Sequence, residues 1–125
     1  MRYFPITLAA LGLVACASVV EAASEGDPER GAGLVTPCAT CHQADGSGAP
    51  PAFPALKGSP IATGDMTAHI DIVVNGKSGT AMQAFGNQLS EVDLAAVITY
   101  ERNAWGNNTG DMVTPKEIFD YKNQQ

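Results

Sequence analysis

The chain is short of cations, of aromatic side chains and of cysteines. Its 7 Lys+Arg stand against 13 Asp+Glu, a net charge of −6 at pH 7. That balance speaks against nucleic acid or an anionic membrane surface as partner, because both require basic charge. Of the 3 cysteines, Cys16 falls in an apolar N-terminal run, which leaves Cys38 and Cys41. Two thiols make no disulfide framework, so a small exported domain would need another staple. Outside the segment Cys38 to His42, only His69 and Cys16 could help to complete a zinc site, and Cys16 falls in the N-terminal run. No stretch reads as a strand and no internal repeat appears, so the class expected is all-α.

The amino terminus is read separately. Arg2 is the only charged residue before Glu21, and Tyr3 to Val20 is apolar apart from Thr7, Cys16 and Ser18. A basic start, an apolar run and small residues at Ala22 and Ala23 describe a secretory signal peptide over residues 1–22. Two rival readings also send the chain across a bacterial inner membrane. Leu13-Val14-Ala15-Cys16 resembles a lipobox, which would acylate Cys16. The 18-residue run is also near the lower limit for an uncleaved anchor, about 20 residues. Export to the periplasm is common to all three. Membrane association would come only through lipid or anchor.

Asp27-Pro28-Glu29 predicts a helix start, with an Asp cap, Pro in the first turn and an acid at the positive end of the dipole. That helix is expected to end near Pro37. Gly46, Gly48, Pro50, Pro51, Pro54, Gly58 and Pro60 break the next segment into a loop, ordered or disordered. A second helix is predicted from Asp65 or Met66 to Val74, closed by Asn75-Gly76. The third is capped by Ser90 and carries Leu94, Val97, Ile98 and Trp105 on one stripe, with Glu101 an unexplained acid within it. Residues 107–125 read as a tail in which Thr114-Pro115 can start one short turn.

Cys38-Ala39-Thr40-Cys41-His42 is a C-x-x-C-H haem attachment signature. Two thiols three positions apart on a helical turn reach the two vinyl groups of one porphyrin edge, and the adjacent His is carried over the ring to the iron. A bare C-x-x-C would also suit a dithiol pair or half a zinc site. A dithiol motif usually follows a strand, whereas a helix precedes this one. For a sixth iron ligand the candidates are Met66, Met82, Met112 and His69. Met82 is the favoured one, because Gly79 and Gly86 flank its loop and a thioether ligand favours Fe(II). His69, beside Thr67 and Asp71, reads as a solvated helix residue.

These residues together resemble the class I cytochromes c over Asp27 to Gly106. The marks are Gly31 ahead of the pentapeptide, then Gly46, Gly48, Pro54 and Leu56, Asn75-Gly76-Lys77, Met82-Gln83-Ala84-Phe85, and a last helix with Tyr100. The resemblance implies three to five helices wrapped around one covalently bound haem c, in a cytochrome domain spanning residues 23–106. It implies that Cys38 and Cys41 form thioethers and that His42 and Met82 are the proximal and distal iron ligands. It also implies that Gly31 lets the first helix cross the last closely against Tyr100, and that Pro50, Pro51 or Pro54 accepts a hydrogen bond from His42.

A narrower likeness over Asn75 to Asn107 is to the cytochrome domain fused to some bacterial oxidase subunit II chains, which usually show Met-Pro where Met82-Gln83 stands. The function this implies is non-enzymatic: single-electron transfer among redox proteins, without a small-molecule substrate, toward a terminal oxidase in a respiratory chain. A cytochrome subunit of an oxidase or dehydrogenase complex is the alternative. A haem enzyme or gas sensor with an open iron position is the more distant one. With Lys57, Lys77, Lys116 and Lys122 as the only lysines, docking calls for a basic partner or an apolar contact. Denaturation and acid extraction of the purified holoprotein should leave haem on the chain in a pyridine haemochrome assay; haem lost to the solvent would refute thioether attachment.

Overall fold

The computed structural model describes residues 26–125. The expected signal segment and Cys16 lie outside the described residues. Among the described residues there are helices α1 (Pro28–Leu34), α2 (Thr36–His42), α3 (Pro60–Thr63), α4 (Met66–Asn75), α5 (Glu91–Asn103) and α6 (Pro115–Asn123). None of these is long and apolar enough to cross a membrane. No strand forms among them, and the all-α class holds; Ala49 and Phe53 make only an isolated antiparallel bridge.

The caps explain where the helices start. Asp27 accepts from the Glu29 amide at 2.9 Å, Asp65 from the Ala68 amide at 2.8 Å and Ser90 from the Asp93 amide at 3.2 Å. Each satisfies a first-turn donor that the helix itself cannot. The first predicted helix is in fact two. α1 stops at Leu34, and α2 restarts with Pro37 in its first turn, where the missing amide and fixed φ do no harm. Both cysteines and His42 therefore ride on α2. Gln43 ends that helix at φ 64° and ψ 155°, a region that suits glycine far better than glutamine.

Helix α1 lies across α5 in the most extensive contact between helices. A Cβ built on Gly31 would sit 2.1 Å from the Ala96 carbonyl oxygen and 2.7 Å from Tyr100 Cβ. Only glycine permits that crossing, as the family resemblance implied.

α5 is buried on nearly every side, from Leu94 through Thr99 and again at Glu101 and Arg102. It ends earlier than the apolar stripe suggested. Trp105 lies past Asn103 at φ 57°, packs edge-on against Tyr100 at 5.4 Å and donates to the Ala44 carbonyl at 2.9 Å.

Two helices exceed expectation. α3 is a single turn capped by Ser59. In place of one short turn after Thr114, α6 runs nine residues. Thr114 and Glu117 form a capping box, and Ile118 and Val113 enter the same core as Ile70, Val73, Val74, Phe85, Leu94 and Ile98. The Gly26 amide donates to the Val113 carbonyl at 2.7 Å, joining the start of the described chain to the segment before α6. Tyr121 hydrogen-bonds Asp71 and so ties α6 to α4.

Among the surface carboxylates held below their ordinary value by donors are Asp71 by Tyr121, Asp93 by Arg30 and Asp111 by Arg102. The stability they contribute is present above the unfolded value of 3.8 and is lost as pH falls through the lower folded values. Ile118→Ala is expected to cost about 2–5 kcal/mol in denaturant titrations, and Gly31→Ala about 3 kcal/mol through overpacking. A Gly31→Ala variant of full stability would contradict the crossing described.

Candidate functional site

Helices α2, α3 and α4, the loop between α2 and α3, and the loop after α4 surround one cavity of about 550 Å³. That is the size range of ligand and cofactor sites. Its walls are mainly apolar: Phe53, Leu56, Ile61, Ile72, Val73 and Phe85 among others. Cys38, Cys41, His42 and Met82 all line it. Four residues chosen from linear spacing thus converge on one space from opposite sides of the fold. Met66 and Met112 are not among its lining residues: Met66 packs against the core, and Met112 is exposed on the surface.

His42 is nearly buried and its Nδ1 lies 2.6 Å from the Pro54 carbonyl oxygen. A carbonyl only accepts, so Nδ1 carries the proton and donates, which leaves Nε2 as the lone-pair nitrogen. Among Pro50, Pro51 and Pro54, the structure selects Pro54. The loop that presents it is ordered by its own backbone: the Gly48 amide donates to the His42 carbonyl at 2.8 Å, and the Leu56 and Lys57 amides donate to the Gly46 carbonyl at 2.9 and 3.0 Å. Asn107 clamps the loop from outside. Its Oδ1 accepts from the Gly58 amide at 2.8 Å, while its Nδ2 donates to the carbonyls of Leu56 at 3.2 Å and Glu101 at 2.7 Å.

The methionine loop is held in the same way. The Lys77 amide donates to the Met82 carbonyl at 2.9 Å, and the Phe85 and Gly86 amides donate to the Val73 and Val74 carbonyls, each at 3.0 Å. Gly76, at φ 69°, passes so near that a Cβ there would meet the Met82 carbonyl oxygen at 2.6 Å.

Sequence reasoning missed two buried polar residues of this cavity. His69 is not a solvated helix residue: it is 1% exposed, against 3% for Glu101. The His69 Nε2 and the Glu101 Oε2 are 3.0 Å apart. This pairing accounts for the acid inside the α5 stripe. The signal was there, since a lone acid on an apolar helix face calls for a buried partner, and His69 is the one histidine outside the pentapeptide. Burial pushes the Cys38 thiol up to about 12, with the Glu101 carboxylate beside it adding to the shift. Thiol-redox chemistry needs an accessible thiolate, and this environment suppresses one.

The chemistry of the donor set fits a haem: paired thiols on one helical face, a neutral imidazole nitrogen, a thioether and apolar walls. Helical class and cavity together define a c-type cytochrome domain. Residues 27–100 match the family described as cytochrome c oxidase, cbb3-type, subunit III, and the chain belongs to that cytochrome c family. Its cofactor is covalently bound haem c, and its role is electron transfer, not that of a catalytic subunit.

The chain is 36% identical over 91 residues to the cytochrome c subunit of alcohol dehydrogenase (quinone) from Gluconobacter oxydans (strain 621H), covering 65% of this chain and 19% of the relative. It is 31% identical over 94 residues to the subunit of the same name from Komagataeibacter europaeus, covering 67% and 20%. It is 33% identical over 104 residues to the gluconate 2-dehydrogenase cytochrome c subunit of Pantoea cypripedii, covering 74% and 24%. The chain thus spans roughly a fifth to a quarter of the length of these curated relatives.

Asn107→Ala removes three hydrogen bonds and is expected to cost about 2–4 kcal/mol. It should also speed exchange of the His42 Nδ1 proton in NMR spectra. A proton exchanging equally fast in both proteins would mean that Asn107 does not hold the Pro54 loop.

Proposed function

We propose that this chain moves single electrons through haem c attached at Cys38 and Cys41, with His42 and Met82 as the axial ligands. The observation that carries the reading is the convergence of these four side chains on one apolar cavity, with His42 oriented by Pro54. When bound, the haem supplies a one-electron Fe(II)/Fe(III) couple.

The chain's own residues do the rest. His42 keeps its proton on Nδ1 and its lone pair on Nε2. Met82 offers a soft sulfur, which favours the reduced iron and raises the potential. Phe53, Ile72, Val73 and Phe85 exclude water, so the surroundings reorganise little between redox states. Partners then need only a small, transient contact, on the order of 1,200 Å² or less.

The electron donor we infer is a dehydrogenase, in keeping with the cytochrome subunits that this chain resembles, and the direction of flow is toward a terminal oxidase. Work as a subunit of a dehydrogenase complex has the support of the curated relatives; a freely shuttling carrier has none from them. We place the domain in the periplasm on the strength of the N-terminal segment 1–22, with membrane association through Cys16 or an uncleaved segment as the variant of that reading. The surface carries little positive charge. Lys77 is the one cation at the cavity wall among the described residues.

Met82→Ala is expected to abolish the Met-to-iron charge-transfer band of the oxidised protein and to lower the reduction potential. It should also turn slow carbon monoxide binding by the reduced protein into fast binding. Fast binding already in the unmodified protein would point instead to an open iron position and a haem enzyme or sensor.

A further inference from the structure

His69 and Glu101 are 1% and 3% exposed, and electron transfer as derived above uses neither. They meet across the cavity wall, His69 from α4 and Glu101 from α5, with Nε2 and Oε2 3.0 Å apart. Both line the cavity, and the Glu101 carboxylate lies beside Cys38. The pair therefore lines the wall beside Cys38, one of the residues that would hold the haem. The Nδ1 of His69 is buried and has no hydrogen-bond partner, so the imidazole can change its proton content without breaking a second contact.

The charges around the pair are few. Arg102 follows Glu101 on α5; its Nε and Nη2 donate to Asp111 and Nη2 also to the Gly64 carbonyl at 2.8 Å, while its Nη1 is buried without a partner. Facing the cavity from α2 are Cys38, Cys41 and His42, and from the loop after α4 comes Lys77. α3 has no titratable side chain. On α4 itself Asp65 caps the helix and Asp71 is bonded to Tyr121.

A buried histidine–carboxylate pair can hold one proton or give it up, and the charge nearby decides which. With one proton between them the pair is neutral; without it a bare carboxylate stays in a dry wall, and with a second proton an unpaired imidazolium does. Adding an electron to iron in the same cavity removes one positive charge nearby, and the pair then holds its proton more tightly. Resting on the haem ligation proposed above, we propose that His69 and Glu101 form a proton-binding site coupled to the iron. One proton from solvent binds the pair as Fe(III) becomes Fe(II), and it leaves on reoxidation. The electron comes from the redox partner, and the only bond made or broken is the N–H or O–H on the pair.

By linkage, whatever electron binding does to proton binding, proton binding does to electron binding. The midpoint potential therefore falls as pH rises through the pair's titration. Full coupling changes the equilibrium tenfold per pH unit, about 59 mV for one electron.

The test is a potentiometric titration of the holoprotein from about pH 5 to 9, with proton uptake on reduction read in unbuffered solution by an indicator dye. The expected result is a falling midpoint and measurable uptake. In Glu101→Gln the midpoint should be flat and lie at the low-pH level of the unmodified protein. A Glu101→Gln profile as steep as the original would assign the protons to the haem propionates and overturn the proposal, as would absence of uptake in the unmodified protein. If Glu101→Gln does not load haem, redox-difference infrared spectra of the unmodified protein with carboxyl-labelled glutamate decide. A redox-linked band that moves with the label supports the pair, and one that does not move refutes it. Visible spectra in the same titration report His/Met ligation, so failure of that assignment reads separately.

Discussion

Gly31 has no side chain, so α1 can rest against the backbone of α5, and the geometry of the site follows from that contact. Only Val35 separates α1 from α2, so the direction of the first helix fixes the second, and with it Cys38, Cys41 and His42. α5 in turn presents Glu101 to the cavity and Tyr100 to Trp105, and Asn107 beyond it clasps the Pro54 loop. A shift at the Gly31 crossing would move the attachment helix and the cavity wall together.

Polar side chains tie together segments that lie behind the cavity wall. Arg102 joins Asp111 to the Gly64 carbonyl, Asn103 bonds the Thr99 and Asp111 carbonyls, and Asn107 joins three segments. A small domain that gives its centre to a cofactor has less side-chain core to define its loops. Side-chain-to-backbone hydrogen bonds do that work here, most of them anchoring a carbonyl or amide outside the helix ladders.

Much of this was legible in the chain, and the exceptions share a cause. Caps at Asp27, Asp65 and Ser90 are local chemistry, so the starts of α1, α4 and α5 could be read directly. That the pentapeptide and Met82 share one cavity could be anticipated because the chemistry proposed for them restricts residue type and spacing. The break at Val35 was missed because Pro37 stops one helix and suits the first turn of the next equally well. α6 was underestimated because its stability comes from Ile118 meeting a core assembled from distant segments. The His69–Glu101 pair was invisible for the same reason: 32 residues separate the partners, and neither has a recognisable local role. Pro54 could be selected over its neighbours only once the loop's backbone bonds were known.

The contact between α1 and α5 also governs the order of events in the making of the protein. The first helix has its main partner more than fifty residues further along the chain, and the attachment pentapeptide lies between the two. As the chain emerges from its N-terminal end, the segment with Cys38 to His42 appears long before anything exists for it to pack on. Closure must wait for the far end, and contacts at such long separation form slowly. The thiols are therefore accessible first as unstructured chain, and their burial beside Glu101 comes only with closure.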